Sequence, residues 1–368
     1  MYKILFIIAF VCFSANGLSA EPSNGILCCG NARTGYINQS GPVSQPSGRV
    51  LQDSRGGFPL LENGRLITGI TGLGMICIST QDNELFWNLQ HIFGPCSISD
   101  GIVYAQYRNP EIHVDTSIIG ISIENGEIVW RWNLREVRSF IVENNVLYTV
   151  FESNNHQVKV FAIHTQDSIP IWELELPQFA ANSISLLDNT LIVALQSGGM
   201  RYHSEGLTAI SAVTGELLWT IEKDSIANNN FPLAGNAVLI RSPEGLQAIS
   251  ISNGSVLWTS SDALLCDPSI RENSIYYISG SDIVEASLST GERITSQKIP
   301  NCSHYRRFSI TLAENAIFLL SADYLLSLDY ELKPNWLYSL PSCDKIIIDD
   351  GKAYCSTSNG LLCLTEPE

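Results

Sequence analysis

The sequence predicts an all-β fold, an eight-bladed β-propeller of four-stranded antiparallel blades, and three recurring markers predict it. The first is tryptophan. Short apolar runs end in it at Leu85-Phe86-Trp87, Ile128-Val129-Trp130, Ile171-Trp172, Leu217-Leu218-Trp219 and Val256-Leu257-Trp258, with a weaker instance at Asn335-Trp336. The second is a tight-turn pair between two apolar runs: Asn63-Gly64, Asp100-Gly101, Asn144-Asn145, Asp188-Asn189, Gly235-Asn236, Glu272-Asn273, Glu314-Asn315 and Asp350-Gly351, spaced 36 to 47 residues apart. Asn, Asp and Gly tolerate the positive φ of two-residue hairpin turns, so these pairs mark hairpins, the two Glu-Asn pairs less securely. The third is a glycine four residues before the tryptophan position, in Asn125-Gly126-Glu127, Thr214-Gly215-Glu216, Asn253-Gly254-Ser255 and Thr290-Gly291-Glu292. Each unit then reads strand, turn, strand, loop, strand, turn, strand. A β-sandwich would not need a fixed period, and no window has the helical periodicity of an α/β fold.

In chain order, Met1-Tyr2-Lys3, the apolar run from Ile4 to Phe13 and Leu18-Ser19-Ala20 read as a signal peptide over residues 1–20, followed by a single propeller domain over 21–368. The expectation is an exported protein, periplasmic or secreted. Cys12 follows Val11 and Cys28 follows Leu27, so no lipobox is recognised, and no later run has the apolar length of a transmembrane helix. Seven units then end near Trp87, Trp130, Trp172, Trp219, Trp258, Thr295 and Trp336. The sixth has lost its tryptophan, because Trp258 and Trp336 stand two periods apart with Thr290-Gly291-Glu292 and Thr295 between them. The last unit, from Lys345 to Leu364, has room for three strands only. The apolar Gly25-Ile26-Leu27-Cys28-Cys29 is expected to supply the fourth, closing the ring and covering a sheet edge. Removal of residues 21–36 is then expected to open blade eight.

Composition bounds the function. The chain is 45% hydrophobic and 16% charged, which excludes a disordered protein. Its 21 Lys and Arg against 37 Asp and Glu give a net charge of −16, and an acidic coat repels phosphate backbones, so nucleic acid is not an expected partner.

The Thr/Asn-Gly-Glu-x-x-Trp pattern, as at Thr214 to Trp219, resembles the pyrroloquinoline-quinone (PQQ) repeat of eight-bladed propellers, over about residues 25–368. That family includes quinoprotein alcohol dehydrogenases and cofactor-free scaffolds of the outer-membrane assembly (BamB) type. The resemblance implies that Trp87, Trp130, Trp172, Trp219, Trp258 and Trp336 dock neighbouring blades. It leaves two functions open: a non-enzymatic interaction scaffold with a protein partner and no cofactor, or a PQQ-dependent oxidoreductase that would also take calcium. The dehydrogenases are longer and insert a quinone- and calcium-binding constellation, for which this chain has little room, so the scaffold reading leads.

Candidate sites are few. Cys363 lies on the third strand of blade eight beside the expected closing strand, so a disulfide to Cys28 or Cys29 is one reading and buried free thiols the other. Cys96, Cys266, Cys302 and Cys343 fall near the start of innermost strands but lack the close spacing of a zinc site. Loops of blades two to four carry Arg108 and His113, His156, and Arg201, Tyr202 and His203, on one face of the disc; partner contact is the expected role, since rigid scaffolds present binding residues on loops. Tyr305-Arg306-Arg307 holds an adjacent basic pair, read as structural. No phosphate loop, ordered catalytic triad or close His/Glu metal motif is present.

Overall fold

The computed structural model describes residues 36–367 except 53–58, 71–73, 109–115, 134–136, 153–157, 177–179, 197–203, 227–230, 301–307, 322 and 342. Thirty-two strands form eight separate four-stranded antiparallel sheets and no helix is present among the described residues, so the predicted fold is borne out. Blade one runs from Leu60–Glu62 to Leu85–Leu89, and blades two to seven follow in sequence order. Blade six, which has no tryptophan, is complete from Ser269–Arg271 to Arg293–Lys298.

First strands of successive blades touch one another, as Val137–Glu143 does Ile92–Ser99 and Ala180–Leu187, and therefore line the centre. The middle strands lie between two neighbouring blades and are apolar on both faces: Ile317–Ser321 and Tyr324–Leu328 are buried throughout. Outermost strands behave differently. In Leu85–Leu89, Ile128–Asn133, Pro170–Leu176 and Pro334–Ser339 the third residue, tryptophan, is buried while its neighbours are exposed or half-buried.

The closing strand is not the expected one. The outermost strand of blade eight is Ser47–Gln52, antiparallel to Gly360–Thr365 with Arg49 opposite Cys363. Residues 25–29 lie outside the described residues, and deletion of 21–36 would leave the closing strand in place. Ring closure by an N-terminal segment holds; its position shifts because an outermost strand faces solvent, so apolarity was the wrong criterion for finding it.

Residues 36–46 lead into that strand across blades seven and eight. Tyr36 forms a parallel bridge with Leu312, and Ile37 donates to the Leu312 carbonyl at 2.7 Å. Asn315 brackets Gly41, accepting its N–H and donating to its carbonyl, both at 2.9 Å. Gly41 packs so tightly that a Cβ there would lie 2.3 Å from Phe318. This contact explains a turn. Asn63-Gly64, Asp100-Gly101, Asn144-Asn145 and Asp350-Gly351 have positive φ at both residues, as two-residue hairpins require, whereas neither Glu314 nor Asn315 does. Asn315 is committed to Gly41, and Glu314 N–H donates to the Gln39 carbonyl at 2.9 Å.

Candidate functional site

Two constructions position everything the disc presents: the seams between blades, and the turns that form one face. Six tryptophans reach across seams. The indole N–H of Trp87 donates to the Ile123 carbonyl at 3.0 Å, Trp172 to Ala212 at 2.9 Å, Trp219 to Ile251 at 2.7 Å and Trp258 to Leu288 at 2.8 Å. Trp130 donates to Ser168 Oγ at 3.0 Å, and Trp336 to the Pro42 carbonyl at 3.0 Å. A tryptophan buried with its N–H satisfied contributes both apolar area and orientation.

The marker glycines receive these rings. A Cβ on Gly126, Gly215, Gly254 or Gly291 would lie 2.4–2.9 Å from the tryptophan of the preceding blade. All four also have φ of 72–76°, where L side chains are strained. In blade three Ser168 takes this place at φ 61° and supplies its hydroxyl to Trp130.

A third partner was missed in the sequence. Directly across from each tryptophan on the third strand sits a small residue: Cys77, Gly120, Ala162, Ala209, Ala248 and Ser327. It stands nine or ten positions before its tryptophan, a spacing that the sequence does show. The seam between blades six and seven departs at every point. Thr295 faces Glu285, and the glycine position of blade seven is Leu332, at φ 63° and 1% exposed. Leu332 packs with Tyr276, Phe308 and Ile310. Glu285 accepts from Ser274 Oγ at 2.7 Å and from Tyr276 Oη at 3.2 Å. The lost ring, the lost glycine and the lost small residue form one compensated change. Arg49 occupies the tryptophan position of the closing strand, exposed and opposite the small residue Cys363.

One face collects the first hairpin turn of every blade and the third-to-fourth strand turn of blades one to seven. The latter repeats one device: a side-chain oxygen accepts the N–H two residues on, as Asp82 does from Glu84, Asn125 from Glu127, Thr214 from Glu216 and Thr290 from Glu292. In all four a Glu supplies the bonded N–H, so these turns add carboxylates to the face. Glu62, Asp100, Glu143, Asp188, Glu272, Glu314 and Asp350 place a carboxylate at the first hairpin of every blade except the fifth. Burial raises the pKa of Glu62, the Gly101 N–H opposes this and Asp100 adds to it. Burial likewise raises Asp349, with Asp350 adding and Lys352 opposing. Such a face attracts cationic surfaces and repels anionic ones.

His113, His156, Arg201, Tyr202 and His203 lie outside the described residues. Arg108 ends the strand Ile102–Arg108, its backbone paired with Thr116. Cys28, Cys29, Cys302 and Tyr305-Arg306-Arg307 also lie outside them. Cys363, Cys266 and Cys343 are buried free thiols, and burial pushes Cys266 up to about 12. Among the described residues no three His, Cys, Asp or Glu side chains are grouped to hold a metal ion. Between blades five and six, Arg293 grips Asp262 through Nε at 2.8 Å and through Nη2, while the buried Tyr277 hydroxyl also donates to Asp262.

Fold and seams define the class: an eight-bladed propeller of the PQQ-repeat type, with tryptophan docking built on strand-end turns. Within that class, a family model described as outer membrane protein assembly factor BamB matches residues 31–260 and 188–316, and the chain belongs to that family. No curated protein matches it in sequence. Among solved structures, BamB from Moraxella catarrhalis is similar at 13% identity and a TM-score of 0.62, over 87% of this chain and 98% of that one. Quinohemoprotein alcohol dehydrogenase from Comamonas testosteroni is similar at 11% identity and a TM-score of 0.69, over 94% and 82%. The computationally designed Ika8 protein is similar at 11% identity and a TM-score of 0.66, over 89% and 100%. At these identities the likenesses establish the fold.

Proposed function

We propose that the protein is an exported, non-enzymatic scaffold that binds a protein partner in cell-envelope or outer-membrane protein assembly. The observation that carries this reading is the match to the outer membrane protein assembly factor family across most of the propeller. The geometry supports it: the described residues are spent on strands, seams and tight turns, and the propeller presents an acidic face. The loops holding Arg108, His113, His156, Arg201, Tyr202 and His203 are the proposed contact sector. The location is the periplasm or envelope.

A photo-cross-linker placed at position 113, 156 or 203 tests this in cells. The scaffold reading expects one dominant protein adduct from these positions and none from Ser255 on the opposite face. Equal adducts from both, or none, would overturn it. A titration with PQQ and calcium followed by calorimetry separates the oxidoreductase alternative: saturable one-to-one binding would support a quinoprotein and refute the cofactor-free scaffold.

A further inference from the structure

Blade eight is unlike the others in holding three buried cysteines, one on each strand supplied by the C-terminal segment: Cys343, Cys355 and Cys363. Register sorts them. Cys355 faces Ile346 on one side and Leu362 on the other, and Cys363 faces Tyr354, so Cys355 and Cys363 project from opposite faces of the sheet. Cys343 faces Thr357, two residues from Cys355, and therefore shares the face of Cys355 as its diagonal neighbour. Diagonal neighbours in a regular ladder are too far apart to bond. Here the ladder is irregular: the register shifts between Cys343 and Lys345, and a bulge of this kind re-aims the side chain beside it. The Cys343 thiol donates to the Lys345 carbonyl at 3.3 Å, and its sulfur lies in hydrogen-bond contact with that of Cys355. Both side chains belong to the apolar cluster that joins blades seven, eight and one.

We infer that Cys343 and Cys355 are a disulfide-forming pair, oxidised by thiol–disulfide exchange with a dithiol oxidant or a small-molecule disulfide, and that the bond fastens the two innermost strands of the closing blade. In the first step one cysteine thiolate attacks the oxidant's disulfide, forming a mixed disulfide and releasing one oxidant sulfur as a thiol. In the second the other cysteine attacks the mixed disulfide, and the remaining oxidant sulfur leaves as a thiol. Two protein thiols become one disulfide, the oxidant gains both electrons and both protons, and no atom is unaccounted for. In the finished ring both thiols are buried and closed to an oxidant, so the exchange belongs to folding, before blade eight closes. Cys363 has no part in the bond, because its face looks away from both.

The pairing rests on the register and holds wherever the chain works, so its test is independent of the scaffold reading. Full-length protein is unfolded and refolded with a glutathione redox couple, blocked with a maleimide under denaturing conditions without reductant, and digested with trypsin and chymotrypsin. Chymotrypsin separates Cys355 from Cys363 at Leu361 and Leu362. The expected result is a Cys343–Cys355 linked peptide, with Cys363 alkylated. Alkylation of both Cys343 and Cys355, or linkage of either to another cysteine, would overturn the inference. A melting cycle supplies the second reading. Cys343→Ala, Cys355→Ala and the double variant are expected to melt at nearly the same temperature, several degrees below the oxidised parent, and to be insensitive to reductant. Additive losses that are the same with and without reductant would show packing alone and refute the bond.

Discussion

Replacing Gly215 by alanine separates the two jobs that the seam glycine performs. Its φ of 73° strains any L residue, by roughly 1–2 kcal/mol. Its added Cβ would also lie 2.7 Å from Trp172 Cδ2, so the ring must move and its 2.9 Å hydrogen bond to the Ala212 carbonyl is lost. Repacking costs about 1–3 kcal/mol and the lost bond about 1 kcal/mol more. The expected total is about 3–6 kcal/mol, the scale of removing a buried large side chain. Gly235 is the internal control: its φ is 54° and nothing lies within 4 Å of its added Cβ, so Gly235→Ala should cost only the strain, roughly 1–2 kcal/mol. In a Trp172→Ala background Gly215→Ala should also fall to that value, giving a coupling of about 2–4 kcal/mol. Urea denaturation followed by far-ultraviolet circular dichroism measures the four variants against the wild type without depending on the removed fluorophore. Equal costs for Gly215→Ala and Gly235→Ala, or a cost unchanged by loss of Trp172, would refute seam docking.

The seam between blades six and seven should accept the regular design only as a set: Thr295→Trp with Leu332→Gly and Glu285→Ala should be more stable than Leu332→Gly with Glu285→Ala alone, and a denaturation series in which the tryptophan adds nothing would count against the compensated exchange. Asn315→Ala should destabilise by about 1–3 kcal/mol, since it orphans the Gly41 N–H and carbonyl, and should raise hydrogen exchange along residues 36–46 first. Asp262 has its pKa lowered, chiefly by the Arg293 hydrogen bond; its contribution is therefore present above the ordinary carboxylate range and lost as pH falls through its lowered value, so Asp262→Asn should destabilise at neutral pH and lose that difference in acid. Glu62 has the opposite sign. Its raised pKa makes the protonated form the stabilised one, so Glu62→Gln should match the wild type in acid and exceed it in stability once pH rises through the raised value, as melting curves across pH would report.

The blades were legible because a seam needs a ring, a glycine and a turn at fixed separations, and those separations survive in the chain as a period. The small residue opposite each tryptophan was equally visible and was overlooked, since an alanine in an apolar strand draws no attention until its partner is known. The closing strand was misplaced for a different reason. Ser47-Gly48-Arg49-Val50-Leu51-Gln52 has little apolar character, yet an outermost strand needs only one buried position, and here even that one is taken by an exposed arginine. The acidic face was written in the turns, but its concentration on one side follows only from topology. The contact loops remain a statement about sequence, because their chemistry depends on how segments from separate blades converge.

Ser47–Gln52 pairs with Gly360–Thr365, so the first strand of the ring to be synthesised is the last to find its partner. Every other sheet can form as soon as its own forty or so residues exist, but this one must wait for nearly the whole chain. Closing so long a loop is slow rather than forbidden, because its entropy grows only with the logarithm of length. The nascent chain therefore passes through an open arc with two bare ends, and both ends are strands prepared to pair. Two arcs that meet end to end would exchange these strands and yield an entwined pair of rings. Dilution during folding, or a chaperone that covers the waiting segment, would decide between one closed disc and two interlinked ones.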